Sequence, residues 1–348
     1  MAGVSHEEFL GTELPLIQAP MAGVQDSALA LAVSSAGGLG SLPCAMLDTE
    51  TLRAELAAMR SATDRPVNVN FFCHKAPKPD PERESRWRKL LEPYLDEYGI
   101  SIEDIPAGPA RVPFGHEMAD VLEEFRPPIV SFHFGLPGSD LVARVKAWGA
   151  TVLASATTVE EARWLETQGA DGIIAQGLEA GGHRGMFLSM DLTTQMGTLA
   201  LVPQIVRHVT VPVIAAGGIA DAQVVAAALS LGATAVQVGT AYLLCPETKT
   251  TSLHRAALKS DAARHTAVTN LFSGRPARGI VNRVIREIGP ISGTAPEFPL
   301  AAAAISALRQ RAEARGSADF SPLWSGQNAS GCREIPAAEL TRALAGRL

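Results

Sequence analysis

One titratable group stands inside a glycine-rich turn at residues 176–185 (QGLEAGGHRG): His183, preceded by Gly181 and Gly182. Glycine has no Cβ, so the backbone there can adopt positive φ and approach a flat ligand closely, while an imidazole offers a base that titrates near neutral pH. That pairing is the layout of a cofactor site with a general base, although a tight surface turn carrying an ordinary histidine has the same composition. A second histidine, His133, ends the apolar run at residues 128–135 (PIVSFHFG) and suits either a catalytic neighbour or a packed, hydrogen-bonded strand end. Two further apolar runs break on glycine: AAGGIAD at 215–221, with Gly217 and Gly218, and QVGT at 237–240, with Gln237, Val238, Gly239 and Thr240. Free N–H groups at a helix start attract anions, so both breaks suit a phosphate. The amides of Asn70, Gln176 and Gln237 can hydrogen-bond a heteroaromatic ring or a ribityl chain, and equally can cap loops.

Such residues act together only if the fold gathers them. Buried strands are expected at residues 15–21, 38–42, 66–72, 128–135, 151–156, 172–177, 211–218 and 235–240. Helical patterns lie between several of them, at 28–35, 49–60, 139–148, 158–168 and 221–231. Strands too apolar to be half exposed, alternating with helices, signify a parallel sheet covered on its outer side. Eight such strands with no dinucleotide fingerprint after the first predict an α/β protein built on a (β/α)8 TIM barrel rather than a doubly wound sheet. Barrel sites lie at the C-terminal ends of strands. The sequence puts there Ala19, Pro20 and Met21, then Asn70, His133, Gln176 with the turn to His183, the Gly217–Gly218 pair, and residues 237–240.

Two regions exceed a bare barrel. Residues 73–127 hold a charged helix near 81–98 and then the Pro/Gly-rich stretch IPAGPARVPFG, which suits an inserted lid or pocket wall. From residue 246 the strand rhythm stops, and Ala-rich helices are expected at 300–315 and 337–348. The chain is therefore divided into a barrel, residues 1–245, and a smaller C-terminal helical subdomain, residues 246–348, which covers the site and sends 320–329 back to the barrel. Within that return Trp324 is read as core packing ahead of cofactor wall.

Composition narrows the partners. The 348 residues carry a formal net charge of -6 and 47% hydrophobic side chains, so a large core is available and no basic face invites nucleic acid or an anionic membrane. Cys44, Cys73, Cys245 and Cys332 are scattered without CxxC or Cys/His spacing, which suggests neither a metal site nor a disulfide framework. No apolar run approaches the ~18 residues of a membrane span, and a cytoplasmic location is expected.

Six segments together, PLIQAPMAGV, NVNFF, SFHFGLP, QGLEAGGHRG, PVIAAGGIAD and AVQVGTAYLLCPE, resemble the nitronate monooxygenase family, formerly 2-nitropropane dioxygenases, in its class I form. The similarity spans residues 15–247, with an echo at 320–329 (FSPLWSGQNA). The resemblance implies an FMN-containing barrel that uses molecular oxygen to oxidise alkyl nitronates to carbonyl compounds and nitrite, with the neutral parent nitroalkanes as candidate further substrates. By position it implies FMN contacts from Asn70, Gln176, Gly181, Gly218 and residues 237–240, with His183 catalytic and His133 beside it. His183 would either bind the nitro group or remove the α-proton of a neutral nitroalkane. An NAD(P)H-dependent FMN quinone or enoyl reductase on the same barrel, and a flavin-binding protein without turnover, are the alternatives; a homodimer stays open. Where class I members carry Tyr, Tyr and Lys in the pocket wall, this chain has Phe298, Ala302 and Ser306. A more apolar wall implies weak use of carboxylate-bearing nitronates unless Arg309 or Lys259 supplies a cation.

Overall fold

A computed structural model describes residues 4–105 and 111–346, so part of the Pro/Gly-rich stretch at 105–115 and the last two residues of the expected final helix lie outside the described residues. Eleven strands follow in chain order: β1 (Leu16–Gln18), β2 (Gly40–Pro43), β3 (Val67–Phe72), β4 (Ile129–His133), β5 (Thr151–Ala156), β6 (Gly172–Gln176), β7 (Gly182–His183), β8 (Val213–Ala216), β9 (Ala235–Val238), β10 (Thr266–Thr269) and β11 (Ala277–Ile280). Eight of them form one parallel sheet in the order β1-β9-β8-β6-β5-β4-β3-β2, and a parallel bridge between Ile17 and Leu39 joins its two ends. The expected barrel is present; β5 matches its expected run, and the other seven strands are shorter because flanking residues turn into loops.

Burial explains the continuous apolar strands. Ile17, Leu39, Ile129, Leu153, Ile174 and Ile214 pack into one cluster, while neighbours such as Leu16, Ile173, Val213 and Val236 pack against the helices outside. Gly40 is needed on β2, since a Cβ there would come within 1.9 Å of the Ala30 carbonyl oxygen on the helix Ser27–Ser35. After β8 the chain restarts as the helix Ala222–Ser230, whose first turn is fixed by Asp221 Oδ1 accepting from the amides of Gln223 and Val224 at 2.9 Å each. That cap sets the geometry of the Gly217–Gly218 turn ahead of it.

The long insertion divides between two layers. Its helix His116–Phe125 packs on barrel helices Thr49–Ala62 and Ser139–Ala147, whereas its helix Pro81–Tyr98 packs on Ala302–Ala314 from the C-terminal region. Trp87, Leu91 and Leu95 join Leu271, Phe272, Ile305, Leu308 and Phe320 in a separate core above the barrel.

The C-terminal region also holds two strands that the sequence pattern passed over. Strands β10 and β11 pair antiparallel, and β11 pairs with β7, which places His183 opposite Ala277. The final helix, Ala337–Ala345, expected in the covering subdomain, packs between Ser27–Ser35 and Ala222–Ser230 and buries Leu340 and Leu344 in the barrel's own core. An Ala-rich amphipathic helix carries no signal of which surface it will cover. Among the described residues no helix is long and apolar enough to cross a membrane.

Candidate active site

The turn carrying His183 is held from three directions. From below, the Gln176 amide on the last residue of β6 donates to the His183 carbonyl oxygen at 3.0 Å and accepts from the Gly185 amide at 2.7 Å. From β4, His133 Nε2 also lies 3.2 Å from that carbonyl, and its Nδ1 lies 3.0 Å from Ser155 Oγ. A carbonyl can only accept, so the His133 proton sits on Nε2 and the serine hydroxyl donates to Nδ1. Burial pushes the His133 pKa down to about 3, which keeps the ring in this neutral form. Arg184, fully buried, donates to the carbonyls of Gly177 and Gln176 at 2.7 Å each and so ties the two ends of the turn together. From above comes the pairing with β11.

Gln176 and His133 were both expected to face the chemistry. Both line the cavity, but the polar atoms of Gln176 and His133 Nε2 are engaged by the turn and His133 Nδ1 by Ser155, so what they visibly do is fix the position of His183.

His183 projects into the cavity with Nε2 at 2.8 Å from Ser273 Oγ, on the loop between β10 and β11. Its ring centroid lies 5.5 Å from those of Phe298 and Trp324 and 5.9 Å from that of Phe134. Desolvation among these rings, followed by the charge of Arg111, holds its pKa well below the usual 6.5. The imidazole is therefore neutral at pH 7, with Nδ1 unpartnered among the described residues. Trp324 serves both of the roles weighed for it: it packs against the covering core beside Phe272, and it lines the cavity against His183. It reaches there through a bridge to Gly279 on β11.

Ala19, Pro20 and Met21 after β1, Asn70 on β3, Gly181 and Gly182, Gly217 and Gly218 after β8, and Gln237, Val238, Gly239 and Thr240 at the end of β9 all border the same cavity. The strand-end alignment expected from the barrel therefore brings these residues together. At the β8–β9 end, Gly217 and Gly218 have φ of 117° and 73°, conformations that side chains resist. Among the described residues the amides of Gly218 and Gly239 have no hydrogen-bond acceptor, and the buried Gln237 Oε1 has no partner. Asn70 Nδ2 is anchored on Ser131 Oγ at 2.9 Å. Unmet amides and an unmet side-chain oxygen in one recess fit a ligand with a phosphate and a hydrogen-bonding ring, which is what an FMN would offer. Gly181 serves a different approach: a Cβ there would lie 2.5 Å from the Gly326 amide, so its bareness admits the returning segment. That segment docks through Gly326 N to Thr240 Oγ1 at 2.9 Å and Asn328 Nδ2 to the Gly218 carbonyl at 3.1 Å.

On the covering side, Ala302 and Ser306 line the cavity together with Ile305 and Arg309, one face of the helix Ala302–Ala314. Phe298 is buried one layer back, edge-on to His74 at 4.8 Å between centroids and packed against His183. Lys259 is on the surface with Glu334 at 3.0 Å, and Arg309 is paired with Glu313 at 2.8 Å. Arg111, Ser273 and His254 also line the cavity, and no sequence signal pointed to them. They come from loops and a short helix without periodicity or motif. Among the described residues no cluster of His, Cys, Asp or Glu could hold a metal ion, and all four cysteines are free.

One cavity thus joins a neutral histidine under the cover to unpartnered amides at the barrel rim, and the comparisons supply the family. The nitronate monooxygenase family model matches residues 5–346. A nitronate monooxygenase of Pseudomonas aeruginosa is 45% identical over 97% of this chain and 97% of its own, and one of Paraburkholderia phytofirmans is 43% identical over 96% and 92%. Among solved structures, nitroalkane oxidase from Streptomyces ansochromogenes superposes with a TM-score of 0.88 at 38% identity, covering 96% of this chain and 95% of that one. The chain belongs to the nitronate monooxygenase family and is an oxidoreductase acting on nitronates or nitroalkanes.

Proposed function

We propose that the protein is an FMN-dependent enzyme that uses molecular oxygen to convert alkyl nitronates, and their parent nitroalkanes, to carbonyl compounds and nitrite. The observation that carries this reading is one cavity with two chemically distinct ends: unmet backbone amides and Gln237 Oε1 at the β8–β9 rim, and neutral His183 under the cover. Gly218, Gly239 and Thr240 would hold the FMN phosphate, and Asn70 and Gln237 its polar ring edge or side chain. FMN bound there supplies the electron acceptor for the electron-rich nitronate and the route by which oxygen is used.

The chain's own residues do the rest. His183 holds the nitro group and, for a neutral nitroalkane, takes the α-proton, which a deprotonated imidazole within hydrogen-bond reach can do. Ser273 fixes the ring's rotation through Nε2, and the Gln176–His133–Arg184 clamp fixes its backbone. Phe72, Phe134, Phe298 and Trp324 pack around the imidazole and lower the polarity of its surroundings. Free thiols throughout support a reducing, cytoplasmic setting. The test is direct: the chromophore released by heat is identified by mass, and the holoenzyme is assayed for oxygen uptake and nitrite with ethyl nitronate. Release of FMN with nitrite formation is expected; FAD, no flavin, or no nitrite would refute the reading.

A further inference from the structure

The cavity is lined by arginine and histidine but by no carboxylate among its described residues. Four guanidinium groups lie on or near it, and three already have work. Arg184 is held by carbonyls under the turn, Arg309 is paired with Glu313, and Arg275, which does not line the cavity, donates to the Met186 carbonyl and stacks 3.9 Å from the Phe134 ring centroid. Arg111 differs. It lines the cavity, its side chain makes no hydrogen bond or ion pair among the described residues, and its Nε is shielded from solvent without a partner. Its guanidinium lies 5.4 Å from the centroid of Phe298, the same ring that packs against His183.

Its backbone is anchored. His74 Nε2 donates to the Arg111 carbonyl at 2.9 Å, and three residues on, the Phe114 amide donates to the Phe72 carbonyl at the end of β3 at 2.8 Å. A half-buried guanidinium without an anion is costly, and a planar fork of donors matches a planar oxyanion. His183, being neutral, leaves the charge of an anionic substrate unanswered.

We propose that Arg111 reads the charge of the substrate: its guanidinium receives the negative oxygens of a bound nitronate, so the pocket selects ionised nitronates over their neutral parents. This rests on the nitronate-oxidising reading above. Of the other candidate cations, Lys259 is paired with Glu334 at the surface, while Arg309 lines the cavity with its Nε held by Glu313.

Arg111→Gln and Arg111→Lys holoenzymes, with nitrate as an unreactive planar oxyanion, test the proposal. Arg111→Gln is expected to raise KM for ethyl nitronate roughly 10- to 100-fold, the range of one charge-assisted hydrogen bond. Expected alongside it are kcat and the KM for neutral nitroethane within about threefold of wild type, competitive inhibition by nitrate weakened in parallel, and recovery of most of the loss in Arg111→Lys. An unchanged KM, an equal rise for nitroethane and its nitronate, nitrate inhibition insensitive to the substitution, or loss of bound flavin in Arg111→Gln would each overturn it, the last by making Arg111 a structural residue. Failure of the wild-type enzyme to oxidise any nitronate would instead count against the functional reading.

Discussion

The β8–β9 rim and the cover above His183 build one cavity by opposite means. At the rim, each cavity residue lies at the end of its own strand or within three positions after it, and the helix cap at Asp221 fixes the turn locally. In the cover, His183 meets Ser273, Phe298 and Trp324, which lie 90 or more positions along the chain. A rim of this kind binds whatever matches a turn's backbone, whereas a cover assembled from distant segments can change its side chains without disturbing the barrel. On the proposed reading the locally built rim is the cofactor end and the cover built from distant segments is the substrate end, so substitutions on the two sides should fail differently.

The largest expected effect is at the rim. Gly218→Val puts a β-branched side chain at φ 73°, a conformation that costs an L-residue about 1–2 kcal/mol before any clash with ligand. The variant should purify folded by circular dichroism but without flavin and without activity; full flavin occupancy would show that the rim does not hold the cofactor. On the cover side, His183→Asn should keep its flavin and lose ~10²- to 10⁴-fold in turnover of neutral nitroalkanes, with a smaller loss on preformed nitronates, because only the neutral substrate needs a proton removed. Equal losses in steady-state kinetics would restrict His183 to holding the nitro group.

Barrel and cover together set a pH signature. His133 and His254 have pKa values pushed by burial from 6.5 down to about 3 and about 4, so the folded protein stays unprotonated where the unfolded chain takes up protons. Stability from these groups is complete above about pH 6.5 and is lost as pH falls toward their folded values, by up to ~1.4 kcal/mol per pH unit for each. Urea midpoints measured from pH 7 to pH 5 should fall, and His254→Phe should flatten that slope by about one group; an unaltered slope would place His254 outside the effect. The smallest change expected is Ser273→Ala, which removes the 2.8 Å contact to His183 Nε2 and should lower kcat roughly two- to tenfold at constant flavin content. No change would mean that the surrounding rings alone fix the imidazole.

What could be read from the sequence follows the same division. The barrel strands and their rim residues were readable because apolar runs ending in glycine are local signals. The motif 176–185 was readable as a turn with a base, but its internal mechanics were not: Arg184 and Gln176 act through backbone carbonyls that no pattern exposes. Strands β10 (TAVT) and β11 (ARGI) are only four residues each, and the second places Arg and Gly inside, so they lack the run that marks a strand. The final helix showed amphipathic spacing but not its partner, and its packing on the barrel emerged only in three dimensions. Arg111 was hidden most completely, since it sits in a stretch without periodicity and the role proposed for it rests on contacts that only three dimensions show.

Anaerobic mixing of the purified holoenzyme with ethyl nitronate, and separately with NADH and NADPH, followed in the visible spectrum, tests the nitronate-oxidising reading most directly. Loss of the oxidised flavin absorbance with the nitronate, and none with either nicotinamide, is the expected result. Reduction by NADH or NADPH with the nitronate inert would contradict it and make the barrel a reductase.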